Sequence, residues 1–540
     1  MKNMKTIADQ ILEILEESGV EVLFGIPSIH NIGLYEALRK TPGMKHILCR
    51  HESTATHMAD GYARESGKIG VVITSTGPGA GYTVPALQEA FGSSVPLLVI
   101  ATNIPSSKIG KGSGALHELE NQEEIFRNIT KAIYVVRSVS DVACQTRKAI
   151  EAAQTGRPGP VYLEIPTDLF NREVGPTNQA RHEITSRSVP LPDLRQAIAL
   201  LQEAENPLIL TGPAALRAGL SKEIITLAET LAAPVLFSPG ARGMVPDDQP
   251  FALGNGARRG VIRETVASAD LALAVGTRLR EVDGKRRGLW LPRLIHMEWD
   301  NQWIGKNFQA EIALTGDLVQ VVRALIKRIG PLPRAEKRRG RIGEIIIRRD
   351  READRIAGVQ PELAYLHVIR SVMPRESTLV VDNTQLGYWS EYFYPSYVPG
   401  GWMGAKGSAI IGFAFAAAMG AKIAAPDKPV VSLIGDGGFL YSTQELATCV
   451  RHGIGFPLIV VNSRSYGIIG YLQKKFYRQE HETRLKNPDF VRLAEAYGIK
   501  GCRVTSPAEL EEALEEALSS GEMRLIELME QFPEPPFDKY

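Results

Sequence analysis

Short β-branched apolar runs alternate with longer stretches of helical spacing along most of the chain. Val430–Ile434 is one such run and Phe456–Val461 is the next; each reads as a buried strand. Between them Ser442-Thr443-Gln444-Glu445 fits the capping box that opens a helix, and Gly453 suits the end of that helix. The same alternation occupies the first part of the chain, to about Leu169, through Val20–Phe24, Gly70–Thr74, Leu97–Ala101 and Val161–Ile165. A polar stretch with prolines follows, "NREVGPTNQARHEITSRSVPLPD". The second part repeats the pattern in Leu208–Thr211, Val235–Ser238, Leu271–Val275, Leu294–Glu298 and Ile312–Thr315. The run "PRAEKRRGRIGEIIIRRDREADR" then leads to a third part beginning near Pro361. Acidic residues interleave with its basic ones, which predicts a solvated linker helix and not a nucleic-acid patch. Strand–helix alternation throughout predicts an α/β protein with mostly parallel sheets, organised as three doubly wound domains at residues 1–176, 187–332 and 358–540.

Composition narrows the function classes. A net charge of +1 gives no global field to recruit nucleic acid or anionic membrane. Four cysteines without C-x-x-C spacing point to a reducing compartment, the cytoplasm, and away from a zinc site. Glu13, Glu16 and Glu17 interrupt the apolar N-terminal segment, so it does not read as a signal peptide. No uncharged apolar run reaches the ~18 residues that a membrane span needs. "GNGARRG" and "GKGSG" lack the G-x-G-x-x-G spacing, and no Walker loop occurs, so neither a nicotinamide dehydrogenase nor a P-loop kinase is expected.

The chemistry concentrates after Ile434. Gly435-Asp436-Gly437-Gly438 follows one strand and Asn462 follows the next. Asp-Gly commonly opens a hairpin, but here a helical pattern follows it. Parallel strands joined by a helix place both carboxyl ends on the sheet edge where open α/β sheets bind ligands. Two hard oxygens and free glycine amides on that edge suit a magnesium ion holding a diphosphate.

Asp436 and Asn462 with their spacing, "RHESTATHMADGYAR" at Arg50–Arg64, "TSTGPGAGYT" and "GFAFAAAMGAKIA" together resemble the thiamine diphosphate enzymes of the pyruvate oxidase, acetolactate synthase and benzoylformate decarboxylase group. Within that group, "GKGSGALHELENQ" and "VVDNTQ" look most like the 5-guanidino-2-oxopentanoate decarboxylase branch, whereas "VVNSRSYGIIGYL" departs from it. The resemblance covers nearly the whole chain and implies a pyrimidine-binding, a middle and a diphosphate-binding domain.

It also implies roles for individual residues. Glu52 is the activating carboxyl at the cofactor pyrimidine, and Ile411 is the apolar residue that bends the cofactor. Asp436, Asn462 and the Arg464 carbonyl hold magnesium. Gly77, Thr384, Gln385, Ala409, Gly435, Gly437, Gly438, Tyr466 and Gly467 line the cofactor. His117 stands near the reacting carbon, where several relatives have glutamine; a hydrogen-bonded loop histidine is the alternative. Pro27, Ser28, His30, Tyr82, Ile468 and Ile469 face the substrate, and Tyr82 replaces the family's usual asparagine. "VGTRLREVDG" corresponds in position to a flavin-holding segment of acetolactate synthase, but the match is loose and FAD is not expected.

The expected activity is decarboxylation of a 2-oxo acid to an aldehyde. Carboligation of the acetolactate synthase or benzaldehyde lyase type is the alternative, and a non-catalytic cofactor-binding subunit is a third. Two isoleucines at 468 and 469 offer a guanidinium no counter-charge, so a neutral 2-oxo acid is expected in spite of the branch resemblance. The resemblance further implies a homodimer or homotetramer with sites at the subunit interface.

Overall fold

A computed structural model describes residues 5–174, 190–255, 260–282, 289–291 and 293–536. Most of the polar linker after Val174, part of "GNGARRG" and the Asp283–Gly284 end of the flavin-like segment lie outside the described residues. Three sheets of six parallel strands alternate with helices. In spatial order the first is Lys45–Leu48, Val22–Gly25, Gly70–Thr74, Leu97–Asn103, Val161–Pro166 and Ala132–Val135. The second is Ile312–Thr315, Leu294–Glu298, Leu271–Val275, Pro207–Thr211, Val235–Phe237 and Ala252–Asn255. The third is Trp402–Gly404, Thr378–Val381, Val430–Gly435, Pro457–Val461, Arg524–Leu528 and Lys500–Val504. Numbered within each sheet along the chain, the first and third share the order 2-1-3-4-6-5. Each therefore reverses direction between its first and third strands, and a ligand crevice forms at such a switch point.

The chain divides into two compact units. One comprises Met1–Arg187, Ala405–Asp427 and Tyr441–Gly455; the other comprises Ser188–Gly404, Lys428–Leu440 and Phe456–Tyr540. In the first unit the helix Phe413–Ala424 crosses the helix Glu52–Ser66 at backbone distance. A Cβ on Gly61 would lie 2.0 Å from the Ala417 carbonyl oxygen, and one on Gly420 would lie 1.9 Å from that of Met58. Only glycine allows this approach. In the second unit the Arg242 guanidinium donates to the carbonyls of Ser390 at 2.7 Å and Glu391 at 2.6 Å, joining the middle sheet to the helix Gln385–Phe393.

The charged run forms one helix, Ala335–Ala357. It is solvated except along a stripe that includes Ile342 and Ile345. Arg338 in that stripe donates to the carbonyls of Leu231 and Leu201 at 2.9 and 3.1 Å. The expected capping box does not form. Ser442 makes no cap bond, Thr443–Glu445 is a 3-10 turn, and the α-helix runs Leu446–His452 to Gly453 in the left-handed conformation. The Glu445 carboxylate turns instead to the Arg50 amide, 3.0 Å away. Two buried hydroxyls, from Thr54 and Thr448, bind the same carboxylate, a richer donor set than one local amide offers.

Candidate active site

In the first unit Glu52 is the first residue of its helix, just after the N-cap His51. Its carboxyl is half-buried, and a Cβ on Gly79 would stand 3.2 Å from Oε1. Burial pushes this carboxyl above the ordinary glutamate range, against the pull of its own backbone amide and of His51. Among the described residues no other side chain hydrogen-bonds it. A group so placed is free to share a proton with a ligand nitrogen.

The switch point of the first sheet carries the surrounding residues. Pro27, Ser28 and His30 follow the strand Val22–Gly25, where Asn31 Oδ1 accepts the Ser28 amide at 2.7 Å. Ser75 and Gly77 follow Gly70–Thr74, and Ser75 Oγ lies 3.4 Å from His30 Nδ1. The His30 and His117 rings are 4.9 Å apart. Burial first, and then the charge of His117, holds His30 below the ordinary histidine range. His117 has a left-handed backbone (φ 66°), and its Nδ1 is buried without a hydrogen bond. A Cβ on Gly77 would meet the His117 carbonyl oxygen at 2.4 Å, so the glycine turn and the histidine loop are in backbone contact. Tyr82 is exposed and its ring lies 4.8 Å from that of His51.

Two fully buried side chains that the sequence did not single out support this group of residues. Gln122 Oε1 accepts the Gly77 amide at 2.6 Å, while its Nε2 donates to the Thr102 carbonyl and to Glu164 at 2.9 and 3.1 Å. Glu89 accepts the amides of Gly407 and Ser408, each at 2.7 Å. Burial opposes its charge, but Arg64 and these amides hold it below the ordinary glutamate range. Glu89 thereby anchors the loop that presents Ala409 (φ 60°) and Ile411, immediately before the helix Phe413–Ala424.

The second unit holds the other group of predicted residues. Gly435 ends the strand Val430–Gly435, and Asp436, Gly437 and Gly438 form the turn Asp436–Phe439. Asn462 follows Pro457–Val461 on the neighbouring strand. Thr384 is the N-cap of the helix Gln385–Phe393, and a Cβ on Gly435 would lie 3.2 Å from its hydroxyl oxygen. Gln385 Oε1 is buried without a partner. Tyr466, Gly467, Ile468 and Ile469 open the helix Gly467–Tyr477, with Ile469 exposed. Arg464 has a left-handed backbone (φ 53°), and its carbonyl accepts the Leu485 amide at 2.8 Å, leaving one lone pair.

The donor set fits a hard cation. Asn487 Nδ2 lies 2.7 Å from Asp436 Oδ2 and 2.9 Å from Asn462 Oδ1, so both oxygens converge on one point. Asn487 Oδ1 is itself buried without a partner. Glu527 accepts Asn462 Nδ2 at 2.6 Å, which fixes the amide with its oxygen toward that point. Burial raises the Asp436 carboxyl above the ordinary aspartate range, partly offset by Asn487 and the Gly437 amide. A cation there would favour the charged form. Neither Asn487 nor Glu527 was singled out from the sequence. Glu527 had one visible signal, an acid within the apolar run Arg524–Leu528. No group of three His, Cys, Asp or Glu side chains among the described residues could hold a metal.

Comparison with known proteins covers the whole arrangement. The N-terminal TPP binding domain of thiamine pyrophosphate enzymes matches residues 5–125, their central domain 194–325, and their C-terminal TPP binding domain 382–528. A probable acetolactate synthase large subunit of Methanocaldococcus jannaschii is 33% identical, over 97% of this chain and 91% of the relative. A probable 2-ketoarginine decarboxylase of Pseudomonas aeruginosa is 35% identical, over 96% and 92% respectively. The solved thiamine diphosphate-dependent 4-hydroxybenzoylformate decarboxylase of Rhodococcus jostii RHA1 shares the fold. Its TM-score is 0.84 at 24% identity, covering 98% of this chain and 99% of that one.

Proposed function

We propose that this chain, which belongs to the thiamine pyrophosphate enzyme family, decarboxylates a neutral 2-oxo acid to an aldehyde and carbon dioxide, with thiamine diphosphate and magnesium. The observation that carries the reading is Glu52: a half-buried carboxyl, raised by burial above the ordinary glutamate range and without a side-chain partner among the described residues, at the switch point where two histidines meet. When bound, thiamine diphosphate supplies the nucleophilic carbon and the electron sink that let carbon dioxide leave. Asp436, Asn462 and the Arg464 carbonyl would hold the magnesium; Thr384, Gln385 and the glycines at 435, 437 and 438 would line the diphosphate. Glu52 holds the proton exchanged with the pyrimidine. His117 delivers a proton to the former carbonyl carbon as the aldehyde forms. His30, which burial holds below the ordinary histidine range, would accept the hydroxyl proton released as the aldehyde carbonyl forms.

The pocket chemistry favours a neutral acid. Ile468 and Ile469 occupy the first turn after Tyr466, and Glu480, the acid beside Gly470, is engaged by Lys474 at 2.7 Å and Arg484 at 3.3 Å. Carboligation is the second reading, supported by the acetolactate synthase relative and by the lack of an acid at 468 and 469. A non-catalytic cofactor-binding role would leave Glu52 without a purpose. No helix among the described residues is long and apolar enough to cross a membrane. We place the enzyme in the cytoplasm as a homodimer or homotetramer. Exposed Ile29, Ile32 and Leu116, next to His30 and His117, support association, which light scattering measures.

The test is incubation with pyruvate, 2-oxoisovalerate, benzoylformate and 5-guanidino-2-oxopentanoate, following carbon dioxide, aldehyde and acyloin together. Aldehyde in step with carbon dioxide supports decarboxylation. Acyloin at half the carbon dioxide yield or more moves the assignment to carboligation. No carbon dioxide from any of the four acids, with no acyloin from added aldehydes, would count against both catalytic readings.

A further inference from the structure

The helix Leu446–His452 and its cap present three polar side chains at positions 445, 448 and 452. That spacing puts them on one helix face. All three meet the short segment that delivers Glu52. Glu445 is fully buried; its oxygens accept the Arg50 amide at 3.0 and 3.3 Å and take the Thr54 hydroxyl. The Thr448 hydroxyl lies 2.6 Å from Glu445 Oε2 and 3.3 Å from the Leu48 carbonyl. His452 Nε2 accepts the Leu48 amide at 3.0 Å, which requires the neutral ring. Leu48 ends the strand Lys45–Leu48, and the helix of Glu52 begins four residues later. Cys49, Arg50 and His51 lie in between, and the Arg50 amide is therefore fixed from 395 positions further along the chain. Nothing else in the proposed chemistry uses these three side chains. A carboxylate with three donors and no solvent is expensive to bury unless it secures something.

We propose that Glu445, with Thr448 and His452, is a positioning device for Glu52: it locks the 48–54 segment so that the Glu52 carboxyl points at the cofactor pyrimidine. The proposal rests on the assignment of Glu52 above. Glu445 is a positioning residue and touches no reacting atom.

The experiment uses the full-length protein in three substitutions, Glu52→Gln, Glu445→Ala and Glu445→Gln, and the double variant Glu52→Gln/Glu445→Ala. In the cofactor-free chain, amide hydrogen exchange of the 48–54 peptide rises on the order of tenfold in Glu445→Ala, the scale of one lost hydrogen bond to a charged acceptor, while the 413–424 helix is unchanged. In the loaded enzyme, hydrogen–deuterium exchange at cofactor C2 falls about tenfold in Glu445→Ala, with thiamine diphosphate affinity within about threefold of wild type. In the Glu52→Gln background the Glu445 substitution adds nothing further. If Glu445→Ala does not fold, Glu445→Gln carries the test, because it keeps the volume and loses one acceptor. Wild-type C2 exchange in a folded Glu445 variant, or effects of positions 52 and 445 that simply multiply, overturns the clamp alone. Wild-type exchange in Glu52→Gln overturns the Glu52 assignment itself.

Discussion

Asp436 and Asn462 sit at the ends of paired neighbouring strands, and the side chains that orient them, Asn487 and Glu527, follow 51 and 65 positions later. Glu52 is held differently. Its supports reach it from Glu445, its neighbouring glycine turn from Gln122, and the Ala409–Ile411 loop from Glu89 across 318 positions. The first is a device of paired strand ends and a glycine turn within one unit. The other is an assembly of buried acids and amides from remote segments. The first can fix a charged group once the third sheet and the loop of Asn487 are in place. The second fixes a direction only when several parts of the chain are in place.

This contrast predicts a division of labour between affinity and chemistry. The largest effect is expected for Glu52→Gln. Exchange at cofactor C2, followed by proton NMR, should fall by about 10²- to 10⁴-fold, while thiamine diphosphate still binds. Asp436→Ala should do the reverse. Calorimetry with thiamine diphosphate and magnesium should show affinity weakened by about two orders of magnitude, since one buried charge loses its counterpart. Unchanged affinity would break the comparison at its root. Glu527→Gln is a gentler probe of the same end: it frees the Asn462 amide to rotate, and magnesium affinity should drop roughly tenfold. A drop in C2 exchange without loss of magnesium affinity would contradict that role.

Substrate discrimination is the next smaller effect. A neutral 2-oxo acid should exceed 5-guanidino-2-oxopentanoate in kcat/KM by about tenfold, or 1.4 kcal/mol. The idea is falsified if the guanidino acid wins by that margin. The smallest effect is on the cofactor-free protein. The Glu52 carboxyl is raised by burial, so the folded chain binds more protons than the unfolded one between the ordinary glutamate range and the raised value. Stability therefore declines as pH climbs through that window. Glu52→Gln removes this decline and should raise apo stability at pH 7 by less than about 1 kcal/mol, because water screens a partly exposed carboxyl. Denaturant melts at pH 5 and pH 7 measure it; a wild-type chain no less stable at pH 7 than at pH 5, relative to the variant, contradicts the sign.

The strand–turn–helix unit around Asp436 was legible because its information is local. An apolar run, glycines and a following helical pattern lie within one stretch, and the strand ends converge by topology. The helix Ala335–Ala357 was legible for the same reason. Glu445 was misread as a cap on its own helix. Nothing in four adjacent residues reveals a carboxylate aimed at Arg50. Asn487 sits in a loop without period. Glu89, Glu164 and Glu527 did leave one trace, an acid in an otherwise apolar surrounding, since burial of such a group demands partners somewhere. The trace says that a network exists and not which residues complete it.

The backbone-close crossing of Gly61 and Gly420 also has a consequence for how the polypeptide is made. The first unit needs Ala405–Asp427 and Tyr441–Gly455 in addition to Met1–Arg187. A ribosome adding about 5–20 residues per second reaches Ala405 only tens of seconds after Arg187 has emerged. During that interval the face of the Glu52 helix that will receive Phe413–Ala424 has no cover. A nascent chain stalled before Ala405 should therefore be chaperone-bound and protease-sensitive around residues 52–66, and one extended past Gly455 should not.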